Sequence, residues 1–230
     1  MVEQHDFIKG EVLVINKPLN WTSFDVVKKI RNKLRDKLNL KKIKVGHAGT
    51  LDPLATGVLV LCTGKKTKEI ECFMNETKGY DGIIQLGATT PSFDLETEID
   101  AEYPVDINKE KVRKVSHAFL GEQLQEPPIF SAKKVKGKRA YEFARKGETV
   151  SLKKNKIVID KLFLEIIENN CLKFELECSK GTYVRSLARD ISKALGTGGH
   201  LIQLRRTHSG KFNLDRAKNL EDCLKMIDTL

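Results

Sequence analysis

A chain of 230 residues, 40% hydrophobic and 31% charged, has the make-up of a soluble globular protein of one large domain or two small ones. Its 41 Lys and Arg against 31 Asp and Glu leave a net charge of +10, which favours an anionic partner, nucleic acid ahead of an acidic membrane surface. No apolar stretch reaches the ~20 residues needed to span a bilayer, and Met1–Asp6 lacks the basic start and apolar centre of a secretion signal, so a cytoplasmic protein with no membrane association is expected. The five cysteines are odd in number and contain no C-x-x-C pair, which argues against a zinc site or a disulfide framework and for buried, reduced thiols.

Glu11 to Asn16 reads as a buried strand, ended by Lys17-Pro18. Trp21-Thr22-Ser23 opens a helix with Thr22 or Ser23 as N-cap, and Val26, Val27, Ile30, Leu34 and Leu38 recur at helical spacing opposite a basic face. A basic linker, Lys37 to Lys44, leads to Gly46-His47-Ala48-Gly49-Thr50-Leu51-Asp52-Pro53-Leu54-Ala55-Thr56-Gly57. Pro53 fixes its own φ and holds the residue before it extended, so Asp52 sits in a stiff loop. That carboxylate either caps a following helix or is held there for chemistry. The apolar run Leu54 to Cys62 is read as a buried helix, and Lys66 to Asn75 as a second one with Ile70, Phe73 and Met74 inward. Neither a P-loop nor a dinucleotide fingerprint is present, because Lys65 is followed by Lys66 and no G-x-G-x-x-G occurs.

Gly79 to Gly87 looks like a strand, with Tyr80 near its start as a core residue by default. Thr89 to Asp100 is acidic; in an extended chain Asp94, Glu96, Glu98 and Asp100 would share one face, either a solvated edge or a metal site, though not an EF-hand. Lys109 to Leu120 reads as an exposed helix and Gln125 to Ala132 as extended chain. Lys133 to Gly147 reads as a basic turn and short helix interleaved with aromatics, suited to phosphates and base stacking or else a solvated face. Lys156 to Leu164 and Leu172 to Cys178 alternate as two strands around Glu168-Asn169-Asn170. Ser179 to Asp190 enters a helix ending at Gly196, His200 to Thr207 forms a strand, and Leu220 to Leu230 a short amphipathic helix. No internal repeat or domain linker is visible.

The run Gly46 to Thr67 resembles the catalytic motif of the TruB-type tRNA pseudouridine synthases, the bacterial enzymes that modify the T-loop uridine at position 55 of tRNA. The segments Lys78-Gly79-Tyr80, P-x-x-S-A-x-K…G-K-x-x-Y-x-x-A-R-x-G from Pro128, C-S-K-G-T-Y-x-R from Cys178, and Leu204-Arg205-Arg206 are similar to further family motifs. The resemblance covers about residues 11 to 215 and implies an α+β fold, a mixed, largely antiparallel central sheet flanked by helices with a catalytic cleft across it. A single catalytic domain over 1–230, working as a monomer and without the appended C-terminal RNA-binding domain of longer members, is expected.

By the same resemblance Asp52 is the catalytic carboxylate, Arg185 its ion-pair partner, and Tyr80 the ring that stacks on the flipped base. Lys17 and Pro18 pack beneath the site, Leu204 lines the base pocket, and Asp94 approaches its base-binding side. His47 has a binding role, and Lys136, Lys138 and Arg139 contact the T arm of tRNA. Isomerising uridine breaks N1–C1′ and joins C5 to C1′ with no redox change or hydrolysis, so neither cofactor nor metal is required; one carboxylate can act covalently, and the base must flip out of its stack. A non-catalytic RNA-binding protein, a metal-dependent nuclease built on the acidic run, and a guide-RNA-dependent rRNA pseudouridine synthase are the competing readings.

Overall fold

The computed structural model describes residues 6–131, 133–135, 137–148, 150–168 and 170–230. In chain order the elements are β1 (Val12–Lys17), α1 (Ser23–Lys37), β2 (Val45–His47), β3 (Ala55–Thr63), α2 (Ile70–Asn75), β4 (Lys78–Leu86), β5 (Ala88–Thr89), β6 (Ala101–Glu102), α3 (Lys109–Ala118), β7 (Gly121–Gln125), β8 (Lys134–Val135), β9 (Lys138–Arg139), α4 (Ala140–Ala144), β10 (Asn155–Ile167), β11 (Cys171–Cys178), α5 (Val184–Ala194), β12 (Gly199–Ser209), β13 (Phe212–Asn213), β14 (Lys218–Asn219) and α6 (Leu220–Asp228). The chain divides into two compact units, one of residues 1–80 and 205–230 and one of residues 81–204. It passes from one to the other within β4 and within β12. The fold is α+β with a mixed, mostly antiparallel sheet: β1 pairs parallel with β14, while β1–β3, β2–β3, β7–β10, β10–β11 and β12–β13 pair antiparallel.

In the first unit β3 pairs antiparallel with β1 and with β2, Ile15 opposite Leu59 and Gly46 opposite Cys62. Helix α1 begins with a capping box: the Thr22 hydroxyl accepts from the Asp25 amide at 3.0 Å, and the Asp25 carboxylate accepts from the Thr22 amide at 3.1 Å. Its Val26, Val27, Ile30 and Leu34 are buried, as their spacing requires, and α6 packs on it.

The expected helix over Leu54 to Cys62 is a strand. β3 is buried along almost its whole length, so its apolar residues show no alternation, and a run that must be covered on both faces reads alike as helix or strand. With no helix after it, Asp52 is not a helix cap. Gly57 carries φ +100° within β3, and a Cβ there would meet the Arg206 carbonyl oxygen at 2.2 Å, so only glycine lets β12 come this close. The helix expected from Lys66 is shorter than its pattern: Gly64–Glu69 forms a 3-10 turn, α2 follows, and Met74 is exposed. Cys72 is exposed too, whereas the other four thiols are buried and all five are free.

In the second unit β10 pairs antiparallel with both β11 and β7. Helix α3 lies on β10, where the Ser116 hydroxyl donates to the Leu162 carbonyl at 2.6 Å. The acidic stretch is not extended: residues 91–97 are turns with Phe93 at φ +63°, so Asp94 is buried while Glu96, Glu98 and Asp100 are exposed. The basic segment after Pro128 contains a small hairpin of β8 and β9 ahead of α4.

Candidate active site

The segment between β2 and β3 carries Asp52, and its backbone is held residue by residue. Ser23, the first residue of α1, is buried and uses its hydroxyl twice: it accepts from the Leu51 amide at 2.8 Å and donates to the Leu51 carbonyl at 3.0 Å. Arg206, only 1% exposed, donates Nη2 to the Gly49 carbonyl at 3.1 Å, Nη1 to the Thr50 carbonyl at 3.4 Å and Nε to the Val58 carbonyl at 2.7 Å. The Pro53 carbonyl accepts from the Asn20 amide at 2.9 Å and from Lys17 Nζ at 3.3 Å. The Ala55 amide closes a turn on the Asp52 carbonyl at 3.1 Å. Residues 49, 50, 51 and 53 are therefore tied to three different elements, and the half-buried Asp52 is carried on backbone with little freedom to move.

Two buried cations lie under this loop. Lys17 is fully buried, and its ammonium also donates to the Trp21 carbonyl at 2.6 Å and the Pro18 carbonyl at 2.9 Å, which satisfies its three protons. Burial pushes its pKa down to about 8; the Asp52 charge pulls it back up and the Arg206 guanidinium adds to the fall. Lys17 thus holds the loop through the Pro53 carbonyl, and Pro18, half-buried, follows it in the chain. His47 ends β2, and burial together with Arg206 lowers its pKa below that of a free imidazole, against a smaller opposing effect of the Gly49 backbone. The ring is therefore neutral near pH 7. Its buried Nδ1 has no hydrogen-bond partner among the described residues.

Tyr80 is half-buried in β4, at the end of the first unit. Gly79 before it packs so tightly that a Cβ would lie 2.2 Å from the His208 ring. Lys78 is buried and donates to the Met74 carbonyl at 2.8 Å, the Phe73 carbonyl at 3.3 Å and the Glu76 carbonyl, closing the C-terminal end of α2.

In the second unit Arg185, in the first turn of α5 and 5% exposed, meets Asp94: Nε lies 3.5 Å from Oδ2. The same guanidinium donates to the Ser92 carbonyl at 3.1 Å and the Phe130 carbonyl at 3.0 Å. Arg189 lies 4.8 Å over the Phe93 ring, and the Phe93 carbonyl accepts from the Leu201 amide at 2.9 Å. The entry to α5 is fixed in turn by Gln125, whose side-chain amide bonds both the amide and the carbonyl of Tyr183, at 2.8 and 3.1 Å. Leu204, half-buried, is the last residue of this unit. Lys138 and Arg139 are exposed on β9. Lys136 lies outside the described residues.

The arrangement brings Lys17 to the Asp52 loop, and Arg185 to Asp94. Sequence reading missed Arg206, Ser23 and Lys78 as structural anchors. Among the described residues no group of three or more His, Cys, Asp or Glu could hold a metal ion, and no helix is long and apolar enough to cross a membrane.

The profile of the TruB family pseudouridylate synthase N-terminal domain matches residues 35–184, and that of the tRNA pseudouridylate synthase B C-terminal domain matches 185–229. A tRNA pseudouridine synthase B of Parabacteroides distasonis is 58% identical over 218 residues, covering 94% of this chain and 93% of the relative. Its counterpart in Phocaeicola vulgatus is 56% identical over 224 residues, covering 96% and 92%. The chain belongs to the TruB family of pseudouridylate synthases.

As a TruB-family protein it is a pseudouridine synthase, an isomerase, and the solved structures it resembles agree with the fold. A chain in the crystal structure of a Cbf5-Nop10-Gar1 complex superposes with a TM-score of 0.71 at 30% identity over 95% of this chain. A chain in the structure of an H/ACA RNP bound to a substrate RNA containing 2′-deoxyuridine does so with a TM-score of 0.68 at 27% identity. This chain spans about half, 54%, of each of those two. Asp52, Tyr80, Asp94, Lys138 and Arg139 fall in the N-terminal TruB profile; Arg185, Leu204 and Arg206 fall in the C-terminal one.

Proposed function

We propose that this enzyme isomerises the uridine at position 55, in the T loop of tRNA, to pseudouridine, with Asp52 as the covalent catalyst. The observation that carries the reading is the pinned loop: within the matched family segment, one carboxylate is held on backbone anchored by Ser23, Arg206, Lys17 and Asn20. A nucleophile whose position is fixed before substrate arrives loses no reorganisation energy in the reaction. The target base leaves its stack, which costs a few kcal/mol, and the protein must replace the lost contacts. Tyr80 stacks on the extruded base and stands ready for proton transfer. Leu204 forms the apolar wall of its pocket. Arg185, its guanidinium held by Asp94, takes part in catalysis as its place in the family motif implies. The neutral His47 ring has a binding role toward the RNA rather than an acid–base one. The exposed Lys138 and Arg139, together with Lys136, take phosphates of the T arm. The working unit is a cytoplasmic monomer with no metal and no cofactor.

The test is tritium release from a tRNA transcript labelled at uridine C5, with EDTA present, because C5 loses its hydrogen when it bonds to C1′. Release of one tritium per tRNA, mapped to the T loop, is the expected result. Turnover that stops with chelator and returns with a divalent ion, tRNA folding being controlled, would overturn the metal-free part of the reading. Release from another site would overturn its specificity.

A further inference from the structure

Helix α5 carries Arg185 in its first turn, and its N-cap residue, Tyr183, makes no side-chain capping bond. The helix entry is held from outside instead, by two side-chain amides on neighbouring strands. Gln125, the last residue of β7, and Asn155, the first of β10, stand directly opposite each other. Gln125 bonds the amide and the carbonyl of Tyr183, and Asn155 Nδ2 donates to the Gly181 carbonyl at 3.0 Å. Gly181 has φ +81°, a conformation that favours glycine, so the chain turns sharply at the residue that Asn155 holds.

Lys133 decides which way the Asn155 amide points. Its ammonium donates to Asn155 Oδ1 at 2.7 Å and to the Lys153 carbonyl. An ammonium has no acceptor, so it selects the amide oxygen and leaves the donor end, Nδ2, for Gly181. Without Lys133 nothing in that contact stops the amide turning over and setting its oxygen against the Gly181 carbonyl. Lys133 fills the unspecified position of the P-x-x-S-A-x-K segment, so no motif singles it out.

The stretch that carries Lys133 also touches Arg185 itself. The Phe130 carbonyl accepts from Arg185 Nη2 at 3.0 Å, and the Lys133 carbonyl accepts from the Ala140 amide at 2.8 Å, at the foot of the β8–β9 hairpin. Residues 130–133 thus meet the guanidinium directly and the start of its helix through Asn155. We propose that Lys133 and Asn155 are positioning residues for Arg185: Lys133 orients the Asn155 amide, and that amide holds the turn from which α5 begins. The proposal rests on the reading above, in which Arg185 takes part in catalysis.

The test compares single-turnover rate at saturating tRNA, tRNA affinity and melting temperature across variants of the full chain. Asn155→Asp keeps the volume and the acceptor for Lys133 and loses only the donor to Gly181, so it should fold normally. Its rate should fall about 5- to 50-fold, short of the loss expected from a 1 Å misplacement, while affinity stays within about twofold. Lys133→Met should slow the reaction about 3- to 10-fold, and Lys133→Arg, which keeps a charged donor, should restore it to within about twofold of the parent. If Lys133 acts through Asn155, adding Lys133→Met to Asn155→Ala should slow the reaction no further, although it lowers the melting temperature by losing the Lys153 contact. An Asn155→Asp protein that reacts at the parent rate, a loss confined to tRNA affinity, or independent effects of the two substitutions on the rate would overturn the proposal. A parent that makes no pseudouridine overturns the functional reading and this proposal with it; an active parent with unaffected variants overturns this proposal alone.

Discussion

Replacing Arg206 by Lys should loosen the Asp52 loop without removing a charge from beneath it. Arg206 is almost wholly buried and bonds three carbonyls in three directions, at 2.7, 3.1 and 3.4 Å. A Lys ammonium is a point donor on a flexible stem and cannot reproduce that planar fork. If it keeps the bond to Val58, the carbonyls of Gly49 and Thr50 lose their charged partner. The 3.4 Å contact is weak, so the main loss is one charge-assisted hydrogen bond of about 1.5–3 kcal/mol plus part of the cost of a buried carbonyl left unpaired, about 2–4 kcal/mol together. Urea unfolding measures this directly. Single-turnover tritium release at saturating tRNA measures what it does to chemistry: the rate should fall about 10- to 100-fold, the cost of a nucleophile displaced by about 1 Å. Affinity for tRNA should stay within a few fold, since Arg206 does not reach solvent. A variant that loses less than about 0.5 kcal/mol, the range of an ordinary surface change, and turns over at the parent rate would refute the claim that Arg206 positions the loop.

Ser23→Ala removes both partners of the Leu51 backbone and should cost about 2–3 kcal/mol of stability, read from the urea midpoint, with a slower single-turnover rate and little change in tRNA binding. An unchanged midpoint would mean water takes over the hydroxyl's role. For Lys17 the folded pKa of about 8 lies below the ordinary value of 10.5, so between these values the unfolded chain binds the extra proton and stability gains with rising pH. Below about pH 8 both states are protonated, and the cost of the buried charge is present in full. Lys17→Met should lack this gain between pH 8 and 10, so the difference in stability between variant and parent should change across that window; a constant difference would show that Lys17 does not titrate there.

In the sequence Asp52 stands out because Pro53 stiffens the backbone that carries it. Lys17-Pro18 reads locally as a strand exit and Tyr80 as a core residue, and only the resemblance to family motifs singles them out; their roles belong to the proposed function. The anchors were not legible, for a different reason. Arg205 and Arg206 are identical in sequence, and only strand register decides that the second turns inward while the first is exposed. Ser23 competes with Thr22 as the helix cap; once Thr22 caps, Ser23 is left for Leu51, a contact with a residue 28 positions away. β3 was misread because burial on both faces erases the alternation that marks a strand. The acidic run lost its extended geometry to the turn at Phe93, and Asp94 went inward to a buried cation that lies far along the chain.

Asp52→Asn tests the central claim most directly. The substitution keeps the volume and the hydrogen-bond acceptor but removes the charge, and the amide's delocalised lone pair cannot replace a carboxylate nucleophile. The loop's anchors are backbone contacts made by other residues, so the fold should persist. The measurement is pseudouridine formed per enzyme in a single turnover on T-loop-labelled tRNA, with a melting curve and a filter-binding titration on the same preparation. The account predicts no detectable product from a protein that melts normally and binds tRNA at least as well as its parent, since a negative charge near the RNA backbone has been removed. An Asp52→Asn protein that is folded, binds tRNA and still makes pseudouridine near the parent rate would contradict it.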